Sequence, residues 1–303
     1  MRRRPLDPGV LLLLTPILWG ATFPAAKLGI AVTGIYPFMA WTRFVGFVTI
    51  IVGIFLVARG VLRWEALRRA VAPGLLLGGL IFVAYILQTE GLARTTATNA
   101  GFITGLYVVF TPVLALALFR QPAGPAAWIA VAVSVAGLVL LSVPSVDKLR
   151  PQAGDLLVLA SAVAWAAHVV GVGRFAGRHP AAVLSLAQMG AAAAFHLILA
   201  APSGLAVAEA VSVWHLLVVT GVLGSGVAYT LQVMAQREVG AGRAVIILAG
   251  ESVAAAIFSA VWIGERLAVH QWIGAVIVLA AMTISELGAR RAALTRIDPA
   301  TAA

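Results

Sequence analysis

The sequence predicts an all-α membrane protein: ten transmembrane helices built as two inverted-topology five-helix repeats around a central cavity. Three observations carry that expectation. Apolar residues make up 62% of the chain, charged ones 11%, and the mean hydropathy is +1.03, whereas soluble domains are about one quarter charged. Apolar runs of about 20 residues, long enough to cross a ~30 Å hydrocarbon core, follow one another almost without pause. Finally, the phrase "VAYILQ" at 83–88 returns as "VAYTLQ" at 227–232, a spacing of 144 (83 to 227).

The first run follows a basic start, "MRRR", in the manner of a signal peptide. Its apolar character continues through Phe23 to Ile30 and ends in no small-x-small cleavage site, so it reads as a retained helix over 9–30. The remaining candidate spans are 37–58, 69–90, 96–119, 126–143, 154–174, 181–200, 212–235, 243–263 and 270–288. Turn-rich connections separate them, among them "TGIYP" at 33–37, "RQPAGP" at 120–125 and "SVPSVDKLRP" at 142–151, and the charge run "LRWEALRR" at 62–69 marks another boundary. Gly74-x-x-x-Gly78 and Gly101-x-x-x-Gly105 offer small faces for close helix approach. Pro16, Pro24 and Pro112 lie inside spans and permit kinks.

Basic residues set the expected orientation, because positive loops stay on the cytoplasmic side. With the N-terminus inside, fifteen Lys and Arg fall in inner segments and four in outer ones (Arg94, Lys148, Arg150, Arg266), while Lys27 and Arg43 lie within spans. Both termini are then cytoplasmic, in the inner (plasma) membrane. On the same numbering, residues 1–143 form a first five-helix unit, 144–153 an outer connecting loop, 154–288 a second unit and 289–303 a tail. The repeated phrase falls in the third and eighth spans. Five spans is an odd number, so the second copy crosses the membrane in the opposite sense to the first. Trp19 and Trp165, in spans one and six, echo the same relation. Inverted repeats of this kind suit a carrier that opens alternately to each side.

No HExxH, GxSxG, Walker A or strand-borne GxGxxG signature is present. No two of the five histidines stand three or four residues apart, and there is no cysteine, so neither a paired metal site nor a thiolate is available. The positive charges sit at the ends of apolar runs and form no block, which argues against nucleic acid. No cofactor is expected; the partners expected are a small-molecule substrate and the lipid bilayer, with a monomer sufficient.

Charges inside spans cost roughly 2.5–3.5 kcal/mol at a helix centre on insertion scales, and so need a reason. Glu251 lies about nine residues into the ninth span, near the midplane. There it either exchanges a proton or holds a substrate amine at a cavity, or it bonds a neighbouring helix. Lys27 and Arg43 lie nearer one surface, where they either snorkel or draw a carboxylate. The remaining cavity candidates are Trp19, Phe23, Tyr85, Gln88, Asn99, Trp165, His168, Tyr229 and Gln232. Each has the alternative of packing, or of bonding the next helix.

"WGATFPAAKLGI" in the first span, "WTRF" in the second, "TP" in the fourth and "AGESVAAAIFSAVWIGERL" across the ninth resemble the EamA-like family of the drug/metabolite transporter superfamily. The resemblance covers almost the whole chain as two units. It implies a carrier with a central cavity between the halves, often exporting amino acids or other metabolites. The positions that match are Trp19, Gly20, Lys27, Arg43, Pro112, Glu251, Gly264 and Glu265; of these, Lys27, Arg43 and Glu265 are the candidates for gating or charge pairing. Two departures stand out: Ser252 occupies the family's proline position, and "FRQP" replaces the first unit's Gly-Glu. The function expected is a secondary carrier of amino acids or related zwitterionic or neutral compounds, an exporter working by alternating access. The alternatives are a membrane enzyme acting on lipid-linked substrates and a passive facilitator or channel.

Overall fold

In a computed structural model the chain is described over residues 8–57, 60–121, 123–142 and 153–297. Residues 144–152 of the expected loop over 144–153, the end of the tail at 298–303 and Arg2, Arg3, Arg4 and Arg59 lie outside the described residues, while Ala153 opens α7. The helices are α1 (Pro8–Thr33), α2 (Ile35–Val57), α3 (Trp64–Leu92), α4 (Ala97–Gly105), α5 (Tyr107–Phe119), α6 (Pro125–Ser142), α7 (Ala153–Phe175), α8 (Ala181–Ala200), α9 (Val207–Ser212), α10 (Trp214–Leu217), α11 (Ala228–Val239), α12 (Ala241–Leu248), α13 (Glu251–Ile263) and α14 (Val269–Ile297). No strand occurs among the described residues. Eight helical stretches are long and apolar enough to cross a membrane, and two shorter apolar helices lie in α6 and α14. The chain is a multi-pass membrane protein of two five-span repeats. One face of the bundle carries the turn at Gly34, the other the turn at Gly240.

The packing repeats with the sequence. α1 packs on α13 and α11, as α7 packs on α5 and α3. α2 packs on the Val218–Val227 stretch as α8 packs on α3, and further contacts pair a span with its own counterpart: α2 with α8, α6 with α14, α4 with α13 and α5 with α12. Two molecules of the same unit related by a twofold axis would pair in this way. Small residues let the backbones close up. A β-carbon added at Gly74 or Gly78 would come within 2.5 or 2.6 Å of Ala187 or Ala191 on α8, and one at Gly101 or Gly105 within 2.6 or 2.3 Å of Ala255 or Ser252 on α13.

The fourth and ninth spans are each broken in two, and not at a proline. Leu106 N–H turns back to the Ile103 carbonyl (3.1 Å), and Gly250 N–H to that of Ile247 (3.2 Å). Both numbers of the second pair lie 144 beyond those of the first. The tight three-residue bond ends one helix and lets the next begin, with Tyr107 and Glu251 as the first residues of α5 and α13. Ser252 serves without the family's proline: its N–H donates to the Ala249 carbonyl (3.2 Å) and its hydroxyl to that of Gly101 (2.7 Å) on α4. The eighth span departs from its counterpart. Between α10 and α11, Val218–Val227 is wound as a π-helix, with the Ser225 hydroxyl donating to the Thr220 carbonyl five residues back (2.8 Å). Gly221, Gly224, Ser225 and Gly226 tolerate the wider turn and fit closely against α2 and α1.

Candidate functional site

At the centre of the bundle, where α1, α3, α4–α5, α7, α11 and the α12–α13 break meet, lies a chamber of about 30 Å³. That is room for a water or two and not for a metabolite. Its walls follow the repeat. Trp19, Thr22 and Phe23 on α1 stand 146 residues before Trp165, His168 and Val169 on α7; Tyr85 and Gln88 on α3 stand 144 before Tyr229 and Gln232 on α11; Tyr107 stands 144 before Glu251. Thr104 completes the lining without a partner, since Leu248 holds the equivalent place. The chamber therefore lies on the axis relating the two repeats.

The aromatic contacts are paired as well. Trp19 and Tyr229 have ring centroids 5.0 Å apart, Trp165 and Tyr85 4.9 Å; both are separations at which tilted or edge-to-face rings attract. His168 packs edge-on to Tyr229 (5.6 Å) and its Nε2 meets Gln188 Oε1 at 3.0 Å.

Hydrogen bonding breaks the symmetry. Trp19 Nε1–H donates to the Gly224 carbonyl (3.0 Å), an acceptor within the π-helix; Gln88 Nε2–H donates to Thr104 Oγ1 (2.8 Å). Their counterparts in the second repeat are unmatched: Trp165 Nε1 and both amide atoms of Gln232 are buried without a hydrogen-bond partner among the described residues. The Tyr107 hydroxyl faces the Glu251 carboxyl. Glu251, at the first position of α13, also has the favourable end of that helix dipole beneath it.

Of the ten residues expected at a cavity, nine line this chamber: Trp19, Phe23, Tyr85, Gln88, Trp165, His168, Tyr229, Gln232 and Glu251. Asn99 does not. It lies in the first turn of α4, in a crevice at the Gly34 face beside Glu265 and Arg266, about a turn and a half before Thr104, the residue of α4 that reaches the chamber. Sequence reasoning missed Thr22, Thr104, Tyr107 and Val169. Three of these could have been found by carrying the repeat spacing from His168, Glu251 and Trp19-to-Trp165; Thr104 has no echo to betray it.

Arg43 is buried behind the chamber wall, 3% exposed, its guanidinium carbon 3.6 Å from the centroid of the Tyr85 ring. Nε and Nη1 have no hydrogen-bond partner, and no carboxylate lies within ion-pair distance among the described residues. The Tyr229 hydroxyl lies within electrostatic reach of both Arg43 and Glu251, charges of opposite sign supplied by different repeats. Lys27 and Glu265 are placed elsewhere, at the Gly34 face. Glu265 accepts from the backbone N–H groups of Ala97 (3.1 Å) and Thr98 (3.2 Å) and from the Thr98 hydroxyl, so a side chain of the second repeat caps α4 of the first. Lys27 donates to the Thr95 carbonyl, and the Thr95 hydroxyl donates to Asp155 Oδ1 (2.7 Å) at the start of α7. These bonds tie α1, α4, α7 and α13 together at one end of the chamber. No cluster of three His, Asp or Glu occurs among the described residues.

Two inverted helical repeats that span a membrane around an aromatic, partly unmatched polar chamber have the architecture of a membrane transporter. The chain belongs to the EamA-like transporter family, whose sequence profile matches residues 8–143 and 152–286. It is similar to an uncharacterized transporter of Archaeoglobus fulgidus, at 29% identity over 280 residues, 91% of this chain and 84% of that protein. One crystal structure superposes with a TM-score of 0.73 at 21% identity over 93% of this chain and 98% of that one, which is a likeness of fold.

Proposed function

We propose that the protein is a secondary carrier of small zwitterionic metabolites, amino acids or close relatives, bound in the central chamber and exported across the inner membrane by alternating access. The observation that carries this reading is the set of buried, poorly matched polar groups: Trp165 Nε1 and the Gln232 amide without partners, and Tyr107 Oη and Glu251 Oε1 facing only each other. Each such group costs about 1–3 kcal/mol if nothing matches it, and all four belong to the lining of one chamber. A ligand offering donors and acceptors recovers that cost. The Glu251 carboxylate takes the substrate ammonium. The substrate carboxylate lies toward Tyr229 and Tyr85, whose hydroxyls donate with the Arg43 charge behind them, and the rings hold the body of the molecule.

The Gly240 face, richer in Lys and Arg, lies toward the cytoplasm on this reading, and so do both ends of the chain. The bonds of Lys27 and Glu265 close the opposite, outer end; binding expands the chamber and opening toward the outside breaks them. The test is uptake of a panel of labelled amino acids, amines and carboxylates into proteoliposomes, with and without an imposed proton gradient. Saturable uptake of compounds bearing both charges supports the proposal. Uptake restricted to singly charged compounds, or no uptake above protein-free liposomes by folded, inserted protein, rejects it.

A further inference from the structure

A second cavity, away from the chamber, opens at the Gly240 face between the end of α2, the start of α8 and α11, with a volume of about 490 Å³. Ile50, Ile54, Val57, Leu231 and Met234 form its walls. The two hydroxyls that border it are both spent within their own helices: Thr49 donates to the Val45 carbonyl (2.8 Å) and Thr230 to that of Gly226 (2.7 Å). Below the rim the walls therefore offer no side-chain donor and are mostly apolar, a lining that suits an alkyl chain. Arg237, in the last turn of α11, is exposed at the mouth. Arg178, on the short turn packed against α11, and Arg63, two residues beyond the lining residue Val61, are exposed at the same face.

At the Gly34 face the counterpart positions after α8, at the start of α2 and at Ala93 join α1 in lining a crevice of about 790 Å³, and the two differ in kind. Lys27, Thr33, Tyr36 and Ser203 line that one, and Lys27 already donates to the Thr95 carbonyl. Ala93 stands there 144 residues before Arg237. The Gly240-face crevice alone of the pair combines an apolar interior with a free guanidinium at the rim.

We infer that this crevice binds a phospholipid with an anionic headgroup, its acyl chain between α2 and α11 and its phosphate on Arg237. A guanidinium matches phosphate in charge and fork geometry, and basic pockets between helices at the cytoplasmic surface suit such lipids. The site shares no lining residue with the chamber, so it stands or falls independently of the substrate.

The test is retention of lipid by the purified full-length protein in detergent, read by native mass spectrometry. Phosphatidylglycerol and phosphatidylcholine with the same acyl chains are added in competition. The expected result is at least fivefold preference for phosphatidylglycerol. Arg237→Gln should bring that preference close to one. Gly53→Leu should lower retention of both lipids severalfold, since a side chain there meets open space within 4 Å and projects into the crevice. Both positions are exposed, so neither change disturbs the core. Equal retention of the two lipids by the wild type, a preference unchanged in Arg237→Gln, or undiminished retention in Gly53→Leu overturns the inference.

Discussion

Gln88 and Gln232 occupy equivalent places in the two repeats, yet one is engaged and the other is free. Gln88 donates to Thr104; 144 residues on, the place of Thr104 is taken by Leu248, and the Gln232 amide has no partner. Trp19 and Trp165 divide in the same way, the first bonded to the π-helical carbonyl of Gly224, the second unmatched. The difference teaches that duplication supplies a chamber with twofold walls, and single substitutions around it decide which half is spent on the fold and which is left for a ligand. The ends of the chamber show the same asymmetry. Glu265 caps α4 at the Gly34 face, whereas position 121, the equivalent place, is an exposed glutamine, and the residue before α12 is Gly240, which has no side chain to cap it.

The largest way to break the comparison is to remove the charge behind the first repeat's tyrosine. At an effective dielectric of 20 and a distance of about 8 Å, a unit charge is worth about 2 kcal/mol. Arg43→Gln should therefore weaken transport of carboxylate-bearing substrates roughly 30-fold and leave amines lacking a carboxylate little affected. Competition uptake with amine and amino-acid pairs measures the split. Next come the two glutamines. Gln232→Leu should weaken substrate affinity by roughly 2- to 12-fold, the worth of one hydrogen bond at about 0.5–1.5 kcal/mol, with thermal stability unchanged. Gln88→Leu should do the reverse, lowering the melting temperature by the loss of a buried bond of about 1 kcal/mol and sparing affinity. Equal behaviour of the two variants would remove the distinction between the halves.

A smaller effect is expected at the Gly34 face. Glu265→Gln weakens a helix cap worth about 1 kcal/mol, so that end should open roughly fivefold more often. Because the chain has no cysteine, a single Asn99→Cys substitution reports this cleanly as faster thiol labelling. The smallest is a repair of the symmetry. Leu248→Thr gives Gln232 the partner that Gln88 has, and affinity should fall about threefold as the amide is withdrawn from the ligand, by about 0.7 kcal/mol.

Much of this was legible in the sequence for physical reasons. Hydropathy fixes spans because the bilayer tolerates little else, and the repeated phrase revealed the inversion because an odd number of spans separates its copies. Tyr85, Gln88, Tyr229 and Gln232 were visible through that echo, and Glu251 through its cost in hydrocarbon. The helix breaks were not, because neither lies at a proline: at Leu106 and Gly250 the chain turns on a backbone bond that any residue can make. Tyr107 stayed hidden for that reason, and Asn99 was placed a turn and more too near the centre. Glu265 was legible only as a motif; that it caps a helix of the other repeat depends on a contact between residues about 167 apart, which no local pattern encodes. Arg43 was visible as a buried cation, but its seat on the Tyr85 ring was not.

The most direct measurement of the central claim is substrate uptake driven by a proton gradient in proteoliposomes, comparing wild type with Glu251→Gln and Tyr107→Phe at one saturating series of concentrations. The expectation is that Glu251→Gln, which removes the one chamber carboxylate, weakens uptake about 10- to 150-fold, as for a charge-assisted bond of roughly 1.5–3 kcal/mol, while Tyr107→Phe costs less than tenfold. Uptake by Glu251→Gln equal to wild type, in protein shown to be folded and inserted, would contradict a substrate held by the second repeat.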